Sequence, residues 1–239
     1  MDRIKRYERR FTLIELLTVV ALISMLMAVG VPAFARMIRG SKVDESARNI
    51  KLALEQAQMR AAAERCYVAV IFLNGSVNSS HSSLERYRLG GFRTAYVRKN
   101  GDSYEFARWV EGSDWSNAPD GAALVKVTAD RSKVTPVDGY VRECPKTATA
   151  LENNSALTTV DSIVDDNGVA INNTGCGAII FNPYGGVVGS SKLYLLVSEA
   201  LIEGNSVTYP TASAAASDST ANYRVLKVNY LTGRVEFEQ

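Results

Sequence analysis

The sequence predicts an α+β protein: a long N-terminal helix, membrane-spanning in its first half, packed on a C-terminal antiparallel β-rich domain. Three observations carry this. One run of 24 residues, Phe11 to Phe34, is almost wholly apolar. Directly after it an apolar stripe recurs at helical spacing as far as Arg65. From Cys66 onward the apolar period switches to two.

The chain has 239 residues, 46% hydrophobic and 22% charged, which excludes a disordered chain, a collagen and a many-helix membrane protein. The net charge of +2 is unevenly placed. Met1 to Arg10 holds five basic and two acidic side chains, and the rest holds 22 basic and 23 acidic ones. The basic excess is therefore a short N-terminal tag, residues 1–10, and a general nucleic-acid coat is excluded.

The next segment, residues 11–35, carries one charge, Glu15, with Thr12, Thr18 and Ser24 as its other polar side chains. As a helix its 24 apolar residues would reach about 36 Å, enough for a hydrocarbon core of about 30 Å. No later apolar run reaches ten residues, so the chain reads as single-pass. Arg and Lys on the N-terminal flank predict a cytoplasmic N-terminus and an extracytoplasmic C-terminal bulk. A cleaved secretory signal ending at Ala33-Phe34-Ala35 fits poorly, because its apolar core runs only about 7–15 residues. Glu15 is the costly residue. A carboxylate at the bilayer centre costs roughly 2.5–3.5 kcal/mol, and this segment supplies no cation. A partner on another subunit is the natural source.

Residues 36–65 continue as an amphipathic helix. Val43, Ala47, Ile50, Leu54, Ala57 and Ala61 form its apolar stripe, opposite Lys42, Asp44, Glu45, Arg48, Lys51, Glu55 and Arg60. Gly40, close to Pro32, is its weak point. Residues 66–239 form the β-rich region. Strands are predicted at Cys66–Leu73, Ser103–Glu111, Ala122–Ala129, Gly177–Phe181, Lys192–Ser198, Tyr223–Tyr230 and Arg234–Glu238, the last two as a hairpin. Glu152–Gly175 reads as a long polar loop, and Gly204–Asn222 as a mobile, low-complexity one.

Two sets of residues carry a resemblance. Phe11-Thr12-Leu13-Ile14-Glu15-Leu16-Leu17 resembles the prepilin signature of type IV pilins and type II secretion pseudopilins, and Pro32 sits where that family has a helix-kinking proline. Ile180-Phe181-Asn182-Pro183-Tyr184-Gly185-Gly186-Val187-Val188-Gly189 resembles the F-x-P-x-G-x-x-x-G stretch of the GspH/FimT minor pilins. Thr232-Gly233-Arg234-Val235 resembles their closing T-G-R-V hairpin. The resemblance implies a pilin-like fold, cleavage before Phe11, methylation of the new amine at Phe11, and pairing of Glu15 with a neighbour's amine. It implies a minor pseudopilin, not an enzyme, at or near the tip of a filament in protein secretion. Its partners would be other pilins or pseudopilins, a prepilin peptidase and the inner-membrane assembly platform. One position departs: the family has Gly, occasionally Ala, before the Phe, and here it is Arg10. A pocket shaped for glycine clashes with that side chain, so cleavage is expected to be slow or blocked.

Other chemistry is sparse. His81, the one histidine, lies in a Ser-rich loop without the third group that a Ser–His arrangement needs. Asp161, Asp165, Asp166 and Asn167 before Gly168 do not match an EF-hand and read as a solvated acidic loop. No metal or cofactor is predicted. Cys144 and Cys176 are candidates for a bridge closing about 33 residues and worth roughly 3–4 kcal/mol, and Cys66 reads as a core thiol. Arg86, Arg88, Arg93, Arg98, Lys99 and Arg108 interleave with Tyr87, Phe92, Tyr96, Tyr104, Phe106 and Trp109. This reads as amphipathic strands with solvated arginines, or else as a nucleic-acid surface, the mark of a DNA-uptake or twitching pilin. A plain membrane-anchored β domain is the third alternative.

Overall fold

A computed structural model describes residues 12–74, 84, 87–118, 121–134, 136–137, 140–141, 147–148, 151, 154–171, 175–189, 191–203, 206–208 and 222–238. It divides into two units, Met1–Ile38 and Arg39–Gln239. One helix, α1 (Leu13–Glu64, 52 residues), is assigned through both. Gly40 does not interrupt it, contrary to the weak point predicted there. The side chain of Pro32, and the kink predicted there, lie outside the described residues, although the helix runs unbroken through that position.

In the first unit the large apolar side chains from Leu13 to Leu26 are between 47 and 81% exposed. Among the described residues no helix is long and apolar enough to cross a membrane, and side chains there are described without a break only over residues 13–28. The span predicted over residues 11–35 is therefore not shown.

The second unit holds all the strands among the described residues. They are β1 (Tyr67–Leu73), β2 (Phe92–Asn100), β3 (Ser103–Trp109), β4 (Ala122–Thr128), β5 (Pro136–Val137), β6 (Tyr140–Val141), β7 (Thr147–Ala148), β8 (Cys176–Phe181), β9 (Leu193–Glu199), β10 (Leu201–Glu203), β11 (Ser206–Thr208), β12 (Tyr223–Val228) and β13 (Val235–Glu238). Two four-stranded antiparallel sheets dominate, in the orders β3-β2-β1-β8 and β13-β12-β9-β4. The seven predicted runs each hold a strand, displaced by no more than two residues at either end. β2 lies in the arginine-and-aromatic stretch, where the sequence suggests amphipathic strands but sets no strand bounds, and β11 falls inside the segment that reads as a mobile loop.

The helix stripe read from the sequence is the helix's contribution to the core. Val43, Ala47, Ile50, Leu54, Ala57 and Ala61 are all fully buried. They cluster with inward residues of both sheets, among them Val68, Val70, Phe72, Ile179, Phe181, Leu195, Val197 and Leu226. Small alanines on the stripe let the helix backbone approach the sheets closely. Burying an Ile50 or Leu54 side chain is worth about 1.5–3 kcal/mol. The alternation of β1 then divides the interior. Val68, Val70 and Phe72 join the helix side, whereas Ala69, Ile71 and Leu73 join a second cluster with Ala178 and Ile180. Val160, Ile163 and Ile171 close that second cluster. The described part of this polar stretch, residues 154–171, is thus anchored at Val160, Ile163 and Ile171, while residues 166–170 stay exposed. Its few apolar residues cap the outer face of the first sheet.

α1 ends at Glu64. Arg65 takes φ 55, and the Cys66 N–H donates to Ala61 O at 3.3 Å, closing the last turn.

Candidate functional site

Glu15 stands in the first turn of α1. Its Oε2 accepts from the Thr12 N–H and from the Thr12 hydroxyl, both at 3.1 Å, and Thr12 Oγ1 accepts from the Glu15 N–H at 3.3 Å. This is a capping box: two helix-end donors are satisfied reciprocally by a Thr and the Glu three residues on. The carboxylate is therefore not bare within its own subunit. The T-x-x-E spacing that signals this local role is present in the sequence, and reasoning from membrane cost alone passes over it. Arg10 and Phe11, the cleavage and methylation positions, lie outside the described residues.

The two C-terminal fragments meet in space. Asn182 Oδ1 accepts from the Tyr184 N–H at 2.9 Å and from the Gly186 N–H at 3.3 Å, tightening the turn that holds Pro183 and Gly185. The Val187 N–H donates to Tyr230 O at 2.7 Å, which ties that turn to the β12–β13 connection. Gln58 of α1 donates from Nε2 to Thr232 O, so the helix clamps the joint. Gly233 has φ 66, and a Cβ there would land on Gly185 O. Only glycine satisfies both the backbone conformation and the close approach. Phe181 anchors one side in the main core, Gly189 is exposed at φ 130, and Arg234 is exposed and pairs with Glu236 at 3.0 Å. Two side chains stand out from this joint, Tyr184 at 88% exposure and Leu231 at 70%.

The arginine-and-aromatic stretch is mostly structural. Arg93 is buried, which corrects its reading as a solvated or nucleic-acid-facing cation. Its Nε donates to Ser113 O at 2.9 Å, its Nη1 donates to Asp166 Oδ2 at 2.8 Å, and its guanidinium lies 4.4 Å from the Trp109 ring centre. Trp109 in turn packs on Phe106 and Trp115 and donates from Nε1 to Val164 O at 3.0 Å. Tyr87 packs on Trp115, and Tyr104 on Tyr67. Most of the rings pack on one another, buried or half-buried. Arg108 is exposed above Tyr96, whose hydroxyl donates to Glu64 at 2.7 Å, and that bond raises the Tyr96 pKa. Arg88 is half-buried, Arg98 and Lys99 are exposed, and Arg86 lies outside the described residues.

The acidic stretch is likewise engaged. Asp165 Oδ1 accepts from the Asn167 and Val169 N–H groups, Asp166 holds Arg93, and the Asp161 backbone pairs with Tyr104 and Phe106 of β3. Among the described residues no group of three or more His, Cys, Asp or Glu could hold a metal. Cys176 is buried in β8, where burial pushes a thiol up to about 12. Cys144 and His81 lie outside the described residues, and the bridge with them.

One groove, of about 660 Å³, runs beside α1. Its helix wall includes Met59, Arg60 and Glu64, and its facing wall includes Thr94 of β2 with Glu111 and Asp114 of the loop after β3.

No family model matches the chain. No curated protein matches it either. Among solved structures, the type IV minor pilin FimU of Pseudomonas aeruginosa aligns over 83% of this chain and 90% of its own, with a TM-score of 0.40 and 11% identity. That likeness is too loose to carry an argument.

Proposed function

We propose that this protein is a structural subunit of a type IV pilus-like filament, a minor pseudopilin acting in protein secretion and not an enzyme. The observation that carries the reading is the start of α1. An apolar, exposed helix opens with a Thr12–Glu15 capping box inside the stretch that resembles the prepilin signature, and the same helix continues into a folded β-rich unit. Residues 11–35 would be held in the inner membrane with the N-terminus cytoplasmic, and the β-rich unit would stay extracytoplasmic. Other pilins or pseudopilins would cover the exposed helix, after handling by a prepilin peptidase and the assembly platform. The DNA-uptake alternative draws less support, because Arg93 and most of the rings are used internally.

Intact-mass measurement on membrane-extracted protein tests the processing half of the reading. Arg10 should leave the dominant species with its leader, and Arg10→Gly should raise the cleaved, methylated fraction beginning at Phe11. A wild-type protein already cleaved and methylated at Phe11 would refute the obstruction while restoring the standard route.

A further inference from the structure

The chain holds three Asn-Gly pairs, Asn74-Gly75, Asn100-Gly101 and Asn167-Gly168, and their asparagines stand in different surroundings. Asn74 is buried. Asn100 is exposed but tied: its Nδ2 donates to Glu105 Oε1 at 2.6 Å, and its carbonyl accepts from the Ser103 hydroxyl at 3.0 Å. Asn167 is exposed, and its carboxamide makes no hydrogen bond among the described residues. Its turn is held through Asp165. The Gly168 N–H donates to Asp165 O at 3.0 Å, and the Asp165 N–H donates to Val169 O at 2.9 Å. Asp165 Oδ1 accepts from the Asn167 and Val169 N–H groups at 2.9 and 2.8 Å. Gly168 has φ 78, and nothing lies within 4 Å of the place a Cβ would take. In the same turn the Asp166 carboxylate reaches back to Arg93 at 2.8 Å.

We propose that Asn167 is a site of spontaneous covalent modification in the folded protein, and that its isoaspartate product loosens the 157–171 segment from the first sheet. The step needs only water. The Gly168 nitrogen gives its proton to solvent and bonds to Asn167 Cγ, the Cγ–Nδ2 bond breaks, and Nδ2 leaves as ammonia. Water then opens the cyclic imide. Attack at Cγ gives aspartate. Attack at the main-chain carbonyl gives isoaspartate, in which the chain runs on through Cβ and Cγ. Glycine suits the step because no Cβ hinders the attacking nitrogen. That nitrogen must first leave Asp165 O, a bond in an exposed turn, so local opening suffices. At Asn100 the amide must instead give up a carboxylate, the stronger kind of partner. Isoaspartate lengthens the backbone by a methylene between residues 167 and 168. The Gly168 and Val169 N–H groups are thereby displaced from their acceptors on Asp165, and Asp166 is no longer held in place for Arg93.

The test incubates the full chain, folded in detergent, in mildly alkaline buffer and follows it by peptide mapping with mass spectrometry and an isoaspartate assay. Asn167 should exchange its amide NH2 for OH, with isoaspartate as a product. Conversion should quicken as pH rises, because the attacking nitrogen must lose its proton. It should run about tenfold or more ahead of conversion at Asn100. Asn167→Gln should stay unmodified at that position, since its longer side chain closes a less favourable ring. The isoaspartate form, purified by chromatography, should exchange backbone hydrogens faster at Val169 and Ile171, with the rest of both sheets unchanged. Asn167→Asp adds the same charge without lengthening the backbone and should exchange as wild type does. An Asn167 that stays an amide while Asn100 converts, conversion only after unfolding in denaturant, or an isoaspartate form that exchanges like wild type would each overturn the proposal. None of these results touches the filament reading, which rests on Glu15.

Discussion

Gly233 shows how a single residue fixes the joint between chain segments far apart in sequence. Its φ of 66 disfavours any side chain, and Gly185 O occupies the place of a Cβ. Gly233→Ala should therefore destabilise the β-rich unit by about 2–4 kcal/mol, combining left-handed strain with backbone displacement. Denaturant unfolding measures this, and a loss under about 0.5 kcal/mol, typical of an inert surface site, would contradict it. Arg93 acts differently, as a buried cation that fastens the 157–171 segment to the first sheet. Arg93→Met should cost about 1.5–3 kcal/mol, since a charged donor's bonds are lost while Asp166 stays 65% exposed to water. Hydrogen exchange should rise first at Ile171 and Val169, whose N–H groups bond within that segment. Uniform acceleration across both sheets would show that Arg93 supports the whole unit instead.

The second half of α1 is the element most legible in the sequence. Its stripe needs only helical periodicity and small residues, and both are local properties of the chain. Leu54→Ala should cost about 2–5 kcal/mol. Leu52→Ala, two residues away at 53% exposure, should cost less than about 0.5 kcal/mol. Equal losses at the two positions, measured by thermal or denaturant unfolding, would mean the helix faces are misassigned. β2 is harder to read for a physical reason. Its cations occupy strand positions: Arg93 is drawn inside by Asp166 and Ser113, and that compensation comes from residues 20 and 73 positions away. The capping box is legible in principle, because Thr12 and Glu15 are three apart, but the cost of a carboxylate in an apolar helix points first to a distant partner. The meeting of the Gly185 turn with Gly233 is not legible as a contact. Each fragment announces a turn, and only the sheet order brings the two turns together.

At the scale of the molecule, the chain divides between an apolar helix whose described side chains are exposed and a unit with two buried clusters. A fragment beginning at Ser41 should fold cooperatively alone, because the helix stripe is satisfied by its own sheets. A fragment that remains unfolded or aggregates would move the boundary. The exposed helix needs something outside itself, and Glu15 decides what. Replacing it by Leu removes the capping interaction and its charge, at about 0.5–2 kcal/mol of local helix stability, and leaves the β-rich unit untouched. Insertion should be no worse. What should fail is the union with other subunits, since a carboxylate awaiting a neighbour's cation is gone. The decisive measurement is affinity co-purification of wild-type and Glu15→Leu protein from cross-linked native membranes, with the melting temperature of the β-rich unit as control. The filament account predicts that pilin-type subunits accompany the wild type, and that Glu15→Leu loses them with its melting unchanged. Equal recovery of those partners by both proteins would contradict it and leave a plain membrane-anchored β domain.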